Sequence, residues 1–244
     1  MANISQEFVT VIAETLSESN VPCVLWGHCL LNVHGIPSII SSIDFVVADE
    51  QLKLSIGALA TRTSDLFACS QPESCQSSSQ HRCTPPPTFH MHVQDVPEVT
   101  VGIYIQSATL WFLPPLTKTL PGVHKKSATK FPFISASDSR LLPPWRPGRG
   151  SGVFTNKKGS LVMVPRAEVL LQAFMRIYAR DSEKQVGSFA MAMIDYVEEY
   201  IDEDGLLDVT QLPEPFKTLY QQLKSGVMPV RQWTRALKAA LDVY

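Results

Sequence analysis

Residues 24–47, VLWGHCLLNVHGIPSIISSIDFVV, contain the pattern that decides the fold. An apolar strand ends at Gly27 and passes directly into a short helix, and after a loop a second apolar strand begins with Ser42 and Asp44. A helix that begins at a strand end presents backbone N–H groups that favour an anion there. Because side chains alternate along a strand, Ser42 and Asp44 are predicted to share one face. The stretch therefore predicts an anion site beside a strand-borne carboxylate, with Asp44 at the rim of an open pocket.

This pattern resembles the signature of the minimal nucleotidyltransferase fold, in which Gly and then Gly or Ser precede two acidic residues separated by one apolar residue. Gly27 occupies the glycine position, and His28 stands where Gly or Ser is usual. Ser42 stands at the first acidic position and Asp44 at the second. A lone Asp cannot hold two Mg²⁺ ions as the acid pair does. The resemblance implies the fold and its cleft more strongly than it implies classical nucleotidyl transfer.

The other patterns predict an α/β protein with a nucleotidyltransferase-like mixed sheet, flanked by helices and followed by a C-terminal helical bundle. Residues 4–19 and 50–60 show helical spacing, and residues 89–95 and 99–106 alternate like the strands of an antiparallel hairpin. Four more helices are predicted near the C-terminus. The predicted domains are an α/β core (1–116), a basic, Pro/Gly-rich connecting segment (117–163) and a helical subdomain (164–244).

Composition and motifs limit the class of protein. No apolar run is long enough to cross a bilayer and the N-terminus lacks a signal pattern, which predicts a cytoplasmic protein without a membrane partner. Five cysteines in such a chain indicate reduced thiols. The P-loop, dinucleotide-binding, zinc-protease and serine-hydrolase motifs are all missing from the sequence, which argues against those four enzyme classes.

The net charge of −2 conceals a strong segregation of charge. Residues 1–117 carry 3 basic and 10 acidic groups, residues 118–180 carry 12 basic and 2 acidic, and residues 181–244 carry 6 basic and 11 acidic. Such asymmetry indicates either a polyanionic partner, for which tRNA is the candidate, or docking of the basic segment on the acidic parts of the chain.

The segment 141–152, LLPPWRPGRGSG, is the second candidate binding element. Its prolines and glycines exclude a helix or a central strand. Arg146 and Arg149 beside Trp145 form a set that can bind phosphate and stack on a base. The alternative is a domain linker whose arginines pair with acidic residues.

Two histidines, His90 and His92, lie on the polar face of the first hairpin strand. In the nucleotidyltransferase fold a later strand supplies a third acid, so the resemblance places this His pair in that position. Neutral histidine suits acid–base chemistry or a transition metal better than Mg²⁺. The alternative is a pair of solvent-facing histidines on a half-exposed strand.

A polar, serine-rich loop over residues 69–88 holds three cysteines and a histidine: Cys69, Cys75, Cys83 and His81. No Cys-x-x-Cys pair is present, and the spacing matches no common zinc knuckle. The sequence therefore predicts free thiols in this loop and no metal site.

The whole chain, with stretches such as LWGHCLLNVHGIP and LPPWRPGRGSG, is similar to fungal proteins with degenerate nucleotidyltransferase cores, and resembles the arginine-containing cyclodipeptide synthases. That resemblance implies an enzyme that joins two amino acids delivered by aminoacyl-tRNAs. Asp44, His90 or His92 would move protons, and Ser42 would accept the acyl group. No cofactor is required, and Mg²⁺ is compatible. The alternatives are residual Mg²⁺-dependent nucleotidyl transfer with Asp44 and Asp95, and a non-catalytic module that binds a nucleotide or RNA.

Overall fold

A computed structural model describes residues 5–79, 84–116, 131–156 and 161–242 of the chain. Within those ranges the protein is a mixed α/β structure with eight α-helices and seven strands. The helices are α1 (Gln6–Glu18), α2 (Gly27–Val33), α3 (Leu52–Arg62), α4 (Gln106–Thr109), α5 (Ala167–Asp181), α6 (Gln185–Val197), α7 (Phe216–Lys224) and α8 (Val230–Ala240). The strands are β1 (Cys23–Trp26), β2 (Ser42–Val47), β3 (Leu66–Ala68), β4 (Phe89–Val93), β5 (Val96–Ile105), β6 (Phe133–Ser135) and β7 (Met163–Pro165).

The chain divides into two compact units, which differ from the three predicted segments. The first comprises Met1–Gln80 and Pro86–Pro165, and the second comprises His81–Pro85 and Arg166–Tyr244. All of the described residues of the predicted connecting segment thus belong to the first unit. Its strands β6 and β7 pair antiparallel, and β7 lies beside β1. Each is three residues long, which is too short for a periodic sequence pattern to reveal.

The first unit is organised on a five-stranded mixed sheet with the order β1-β2-β5-β4-β3. Only the β2–β5 pair is parallel among these neighbours, and the other three pairs are antiparallel. Every residue of β1 and β2 is buried, so both faces of this part of the sheet are covered. The predicted strand–helix–strand unit of residues 24–47 and the predicted β4–β5 hairpin are both confirmed.

Helix α1 begins where its sequence supplies a cap. The Ser5 side chain accepts a hydrogen bond from the Phe8 backbone N–H at 3.2 Å, which satisfies one of the unpaired donors of the first turn. Its apolar stripe, with Val9, Ile12 and Leu16 all buried, covers the sheet as the spacing predicts.

A buried histidine links the end of α2 to β7. His34 is 1 % exposed, and its Nε2 lies 2.9 Å from the Pro165 carbonyl oxygen, which accepts the hydrogen bond. Burial lowers the pKa of His34 to about 4, and the hydrogen bond to Pro165 opposes that change only in part.

We expect this histidine to make the protein less stable as the pH falls from 6.5 to 4. Over that range the unfolded chain binds a proton that the folded His34 does not, so the free energy of unfolding decreases by up to about 3 kcal/mol. Urea unfolding at several pH values measures the slope. His34→Gln keeps a donor for Pro165 and should remove that part of the slope. An unchanged slope in the variant contradicts the assignment.

The second unit contains α5–α8, and the four predicted C-terminal helices are confirmed. Trp233 is fully buried, stacks on Tyr178 with ring centroids 5.7 Å apart, and donates from Nε1 to the Leu219 carbonyl at 2.8 Å. Its indole therefore joins α5, α7 and α8 through both packing and a satisfied polar group.

Candidate functional site

The Asp44 carboxylate lies between two glycines of neighbouring elements. A Cβ on Gly27 would stand 2.5 Å from Asp44 Oδ2, and a Cβ on Gly102 would collide with Asp44 Oδ1. Gly27 also has φ +65°, a conformation that only glycine adopts readily. Residues 27 and 102 must therefore lack side chains for the carboxylate to occupy its position.

Ser42 and Asp44 share one face of β2, as predicted, and are hydrogen-bonded. Ser42 Oγ donates to Asp44 Oδ2 at 2.7 Å. Both residues are 4 % exposed, which corrects the expectation that Asp44 lies at the rim of an open cleft. The physical reason is that both faces of β2 are covered. Pro87 contributes to the cover, because its Cβ lies 3.3 Å from where a Gly102 Cβ would stand.

Cys29 is a second potential nucleophile near Asp44, and the charge of Asp44 affects the pKa of its thiol. Burial, and then the negative charge of Asp44, raise the pKa of the Cys29 thiol to about 12. The thiolate is the reactive form of cysteine, so Cys29 is held in its unreactive form at neutral pH. The Ser42 hydroxyl, by contrast, already donates a hydrogen bond to this carboxylate, which is positioned to accept its proton.

The register of the sheet corrects the predicted position of the histidine pair. Asp44 pairs with Gly102 on β5, and Gly102 pairs with His90 on β4. Asp44, Gly102 and His90 thus form one row across three strands. Ser42 pairs with Thr100, and Thr100 with His92, which gives the next row. The third-acid position beside β2 is therefore taken by Thr100 and Gly102, and the histidines lie one strand further, about 10 Å from β2.

His90 and His92 differ in exposure. His90 is buried, which excludes the solvent-facing interpretation for this residue, whereas His92 is half-buried. Their rings are 5.2 Å apart. Paired residues of adjacent strands share a face, so the histidines and Asp44 belong to the same face of the sheet.

Asp95, the predicted partner of Asp44 for one Mg²⁺, lies elsewhere. It is exposed in the turn between β4 and β5. His90 is the residue of β4 in the same row as Asp44. Asp95 lies five residues beyond His90, a distance of about 16 Å along the strand. One metal ion cannot contact both carboxylates across that separation, so the structure contradicts this pairing.

The segment with Trp145, Arg146 and Arg149 is fixed to the C-terminal part of α2. The Gly150 N–H donates to the Gly35 carbonyl at 3.0 Å, and the N–H of Gly152 donates to that of Asn32 at 2.9 Å. Trp145 is 67 % exposed, while both arginines are half-buried. Gly27 and His28 begin the same helix, so α2 separates the two predicted binding groups by about 10 Å.

Half of the basic residues of segment 118–180 can be described. Three of them form ion pairs: Arg140 with Asp138, Arg166 with Glu168, and Arg180 with Asp181. Six lysines on which the polyanion prediction depends lie outside the described residues: Lys118, Lys125, Lys126, Lys130, Lys157 and Lys158. Asp138 and Glu168 are the two acidic residues of the basic segment itself and Asp181 directly adjoins it, so these pairs leave its excess of positive charge unexplained.

Two loop cysteines meet the histidine pair, which the sequence does not predict. One potential ligand atom from each of Cys69, Cys75, His90 and His92 lies within 4.8 Å of all the others. The other two loop candidates, His81 and Cys83, lie outside the described residues. The sequence feature that could have indicated the cluster is that the cysteine-bearing loop directly precedes the alternating His-x-His of β4. No local motif indicates it.

Comparisons of the chain with protein-family models, with curated proteins and with solved structures find no match. Within the described ranges, none of the helices combines the length and apolar composition needed to cross a membrane.

Proposed function

We propose that the protein is an enzyme with a nucleotidyltransferase-like sheet that transfers aminoacyl groups from tRNA to form a cyclic dipeptide. The observation that carries the proposal is the 2.7 Å hydrogen bond from Ser42 Oγ to Asp44 Oδ2. A hydroxyl paired with a carboxylate is a nucleophile with its proton acceptor already in place. The strand–helix–strand arrangement around Gly27 and the helical second unit support the nucleotidyltransferase-like architecture and its C-terminal bundle.

The proposed reaction begins at Ser42. Its Oγ attacks the ester carbonyl carbon of an aminoacyl-tRNA while Asp44 takes the hydroxyl proton. The bond from the carbonyl carbon to the tRNA ribose oxygen breaks, and this oxygen receives the proton from Asp44. The α-amine of a second aminoacyl-tRNA attacks the Ser42 ester, the bond from the carbonyl carbon to Ser42 Oγ breaks, and the amine proton passes to Oγ through Asp44. The free amine of the first amino acid then attacks the second ester, which closes the ring, and its proton passes to the ribose oxygen of the departing second tRNA.

Burial of Ser42 and Asp44 suits this chemistry. Water competes for every ester in the sequence of steps, and a covered site excludes it. Ser42 and Asp44 are each only 4 % exposed. Substrate can therefore enter only when the residues that cover them, Pro87 among them, move aside. Trp145, Arg146 and Arg149 are our candidates for holding the tRNA, because an exposed indole and two guanidinium groups suit a base and phosphates.

The residues around Asp44 do not fit a two-Mg²⁺ site. The register places Trp26 and Gly102 beside Asp44, and Ser42 and Thr100 form the next row; none of these four residues carries a carboxylate. Mg²⁺ prefers carboxylate and phosphate oxygens in near-octahedral geometry. The proposal therefore routes no step through a metal ion, and residual nucleotidyl transfer is the less favoured function.

Mass spectrometry of the products tests the proposed function. The full-length protein is mixed with charged tRNAs, arginyl-tRNA among them as the resemblance implies, and small molecules are extracted. We expect a cyclic dipeptide that requires the charged tRNA. Transfer of label from an NTP to an acceptor would instead identify nucleotidyl transfer, and tRNA binding without either product would identify a binding module. Both outcomes overturn the proposal.

A further inference from the structure

We propose that Cys69, Cys75, His90 and His92 bind one Zn²⁺ ion at the β3 edge of the five-stranded sheet. The four potential ligand atoms already lie within 4.8 Å of one another. Two cysteines and two histidines form one of the common donor sets of structural zinc sites. This site is separate from Ser42 and Asp44, and the proposal does not depend on the proposed enzymatic function.

The sheet positions three of the four ligands. His90 and His92 are two residues apart on β4, so they project from the same face with ring centroids 5.2 Å apart. Strand β3 pairs antiparallel with β4, and its last pair is Ala68 with Met91. Cys69 follows directly, which continues the register opposite His90. The backbone therefore brings these side chains together without requiring a Cys-x-x-Cys motif.

Cys75 completes the set from the loop. It immediately precedes a 3₁₀ turn, Gln76–Ser78, and its Sγ lies 3.7 Å from His92 Nε2. In a tetrahedral zinc site with Zn–S near 2.3 Å and Zn–N near 2.0 Å, sulfur and nitrogen ligands are about 3.5 Å apart. This pair is thus close to the separation that a shared zinc ion imposes.

The hydrogen bond made by His92 Nδ1 determines which ring nitrogen of His92 is available to a metal. His92 Nδ1 lies 2.6 Å from the Pro97 carbonyl oxygen. A carbonyl oxygen can only accept, so Nδ1 carries the hydrogen and the Nε2 lone pair of the neutral ring is directed toward Cys75. Zinc-binding histidines characteristically donate their other N–H to a carbonyl or carboxylate in this way.

The chemistry of the donors selects the ion and the role. Sulfur and imidazole nitrogen favour Zn²⁺ over Mg²⁺ or Ca²⁺. Four protein ligands fill a tetrahedral shell and leave no position for substrate, which indicates a structural site. No residue from 69 to 79 is buried, so apolar packing contributes little to holding this part of the chain. Zinc would fix the loop to the sheet edge.

Metal analysis of the full-length protein, purified with reduced thiols, tests the proposal. We expect one equivalent of Zn²⁺ after dialysis and, after chelation, rebinding of Zn²⁺ with release of about two protons from the two thiols at pH 7. Co²⁺ in place of Zn²⁺ should give the absorption of a tetrahedral cobalt–thiolate complex. Because removal and return of the metal use the wild-type chain, this measurement does not depend on the folding of any variant.

Matched variants identify the ligands. Cys75→Ser and His92→Ala should each weaken Zn²⁺ binding by at least about 100-fold in competition with a chelator. Cys83→Ser and Cys23→Ala, which remove cysteines outside the proposed set, should bind as the wild type does. Absence of Zn²⁺ binding by the reduced wild type overturns the proposal. So does tight binding by Cys75→Ser or weakened binding by Cys83→Ser, or a Cys69–Cys75 disulfide that persists in reducing buffer.

Discussion

Replacement of Asp44 by Asn is expected to reduce the rate of cyclic dipeptide formation by about 100- to 10,000-fold, the range that loss of a general base produces. Asn has nearly the same shape and keeps an oxygen that can accept the hydrogen bond from Ser42, but it cannot take the serine proton. The variant should therefore fold and lose turnover. Single-turnover mass spectrometry with charged tRNA measures the rate, and circular dichroism verifies the fold.

Asp49→Asn is the matched control. Asp49 also accepts hydrogen bonds from a serine, with its Oδ1 3.0 Å from the Ser107 backbone N–H, but it is exposed and lies outside the Asp44 row. Its replacement should leave the rate within about twofold of the wild type, as expected for a surface change away from the reacting groups. Equal rates for Asp44→Asn and the wild type would show that Asp44 has only a structural role.

Replacement of Gly102 by Ala is expected to lower the free energy of unfolding by about 2 kcal/mol, because the added Cβ meets Asp44 Oδ1 and Pro87 in a packed interior. Gly57→Ala is the matched control. Gly57 lies within α3, and nothing lies within 4 Å of the Cβ it would gain. That substitution should stabilise the protein by about 0.5–1 kcal/mol, because alanine loses less backbone entropy in a helix. Urea unfolding measures both changes.

A double-mutant cycle shows whether the Asp44 carboxylate is the cause. In an Asp44→Ala background the obstacle is gone, so Gly102→Ala should cost at least about 1 kcal/mol less than in the wild-type chain. If the cost is the same in both backgrounds, contact with Pro87 accounts for the destabilisation, and the carboxylate does not lie between Gly27 and Gly102.

Local patterns were sufficient to predict the longer elements of the fold. Residues 24–47 combine an apolar run, a glycine and a second apolar run, and these features determine β1, α2 and β2 because each acts within a few residues. The hairpin of β4 and β5 follows from strict alternation in the same way. The three-residue strands β3, β6 and β7 were missed because they are shorter than any periodic pattern.

Strand order could not be predicted, and the composition of the site depends on it. The sequence places Asp44 and the histidines on polar strand faces but does not show that β5 lies between them. Gly102 was the signal that could have been used, because a glycine inside a strand often marks close approach of another group. The Cys69–Cys75 and His90–His92 cluster was missed for the same reason, since strand pairing rather than local spacing brings it together. The burial of Asp44 depends on how other elements cover β2.

The most direct test of the central claim is the intact mass of the protein after mixing with aminoacyl-tRNA and rapid acid quenching. If Ser42 and Asp44 are the reacting pair, one aminoacyl group is bound to the wild-type chain, peptide mapping places it on Ser42, and Ser42→Ala shows neither the adduct nor the cyclic dipeptide. A Ser42→Ala protein that forms cyclic dipeptide at the wild-type rate contradicts the claim.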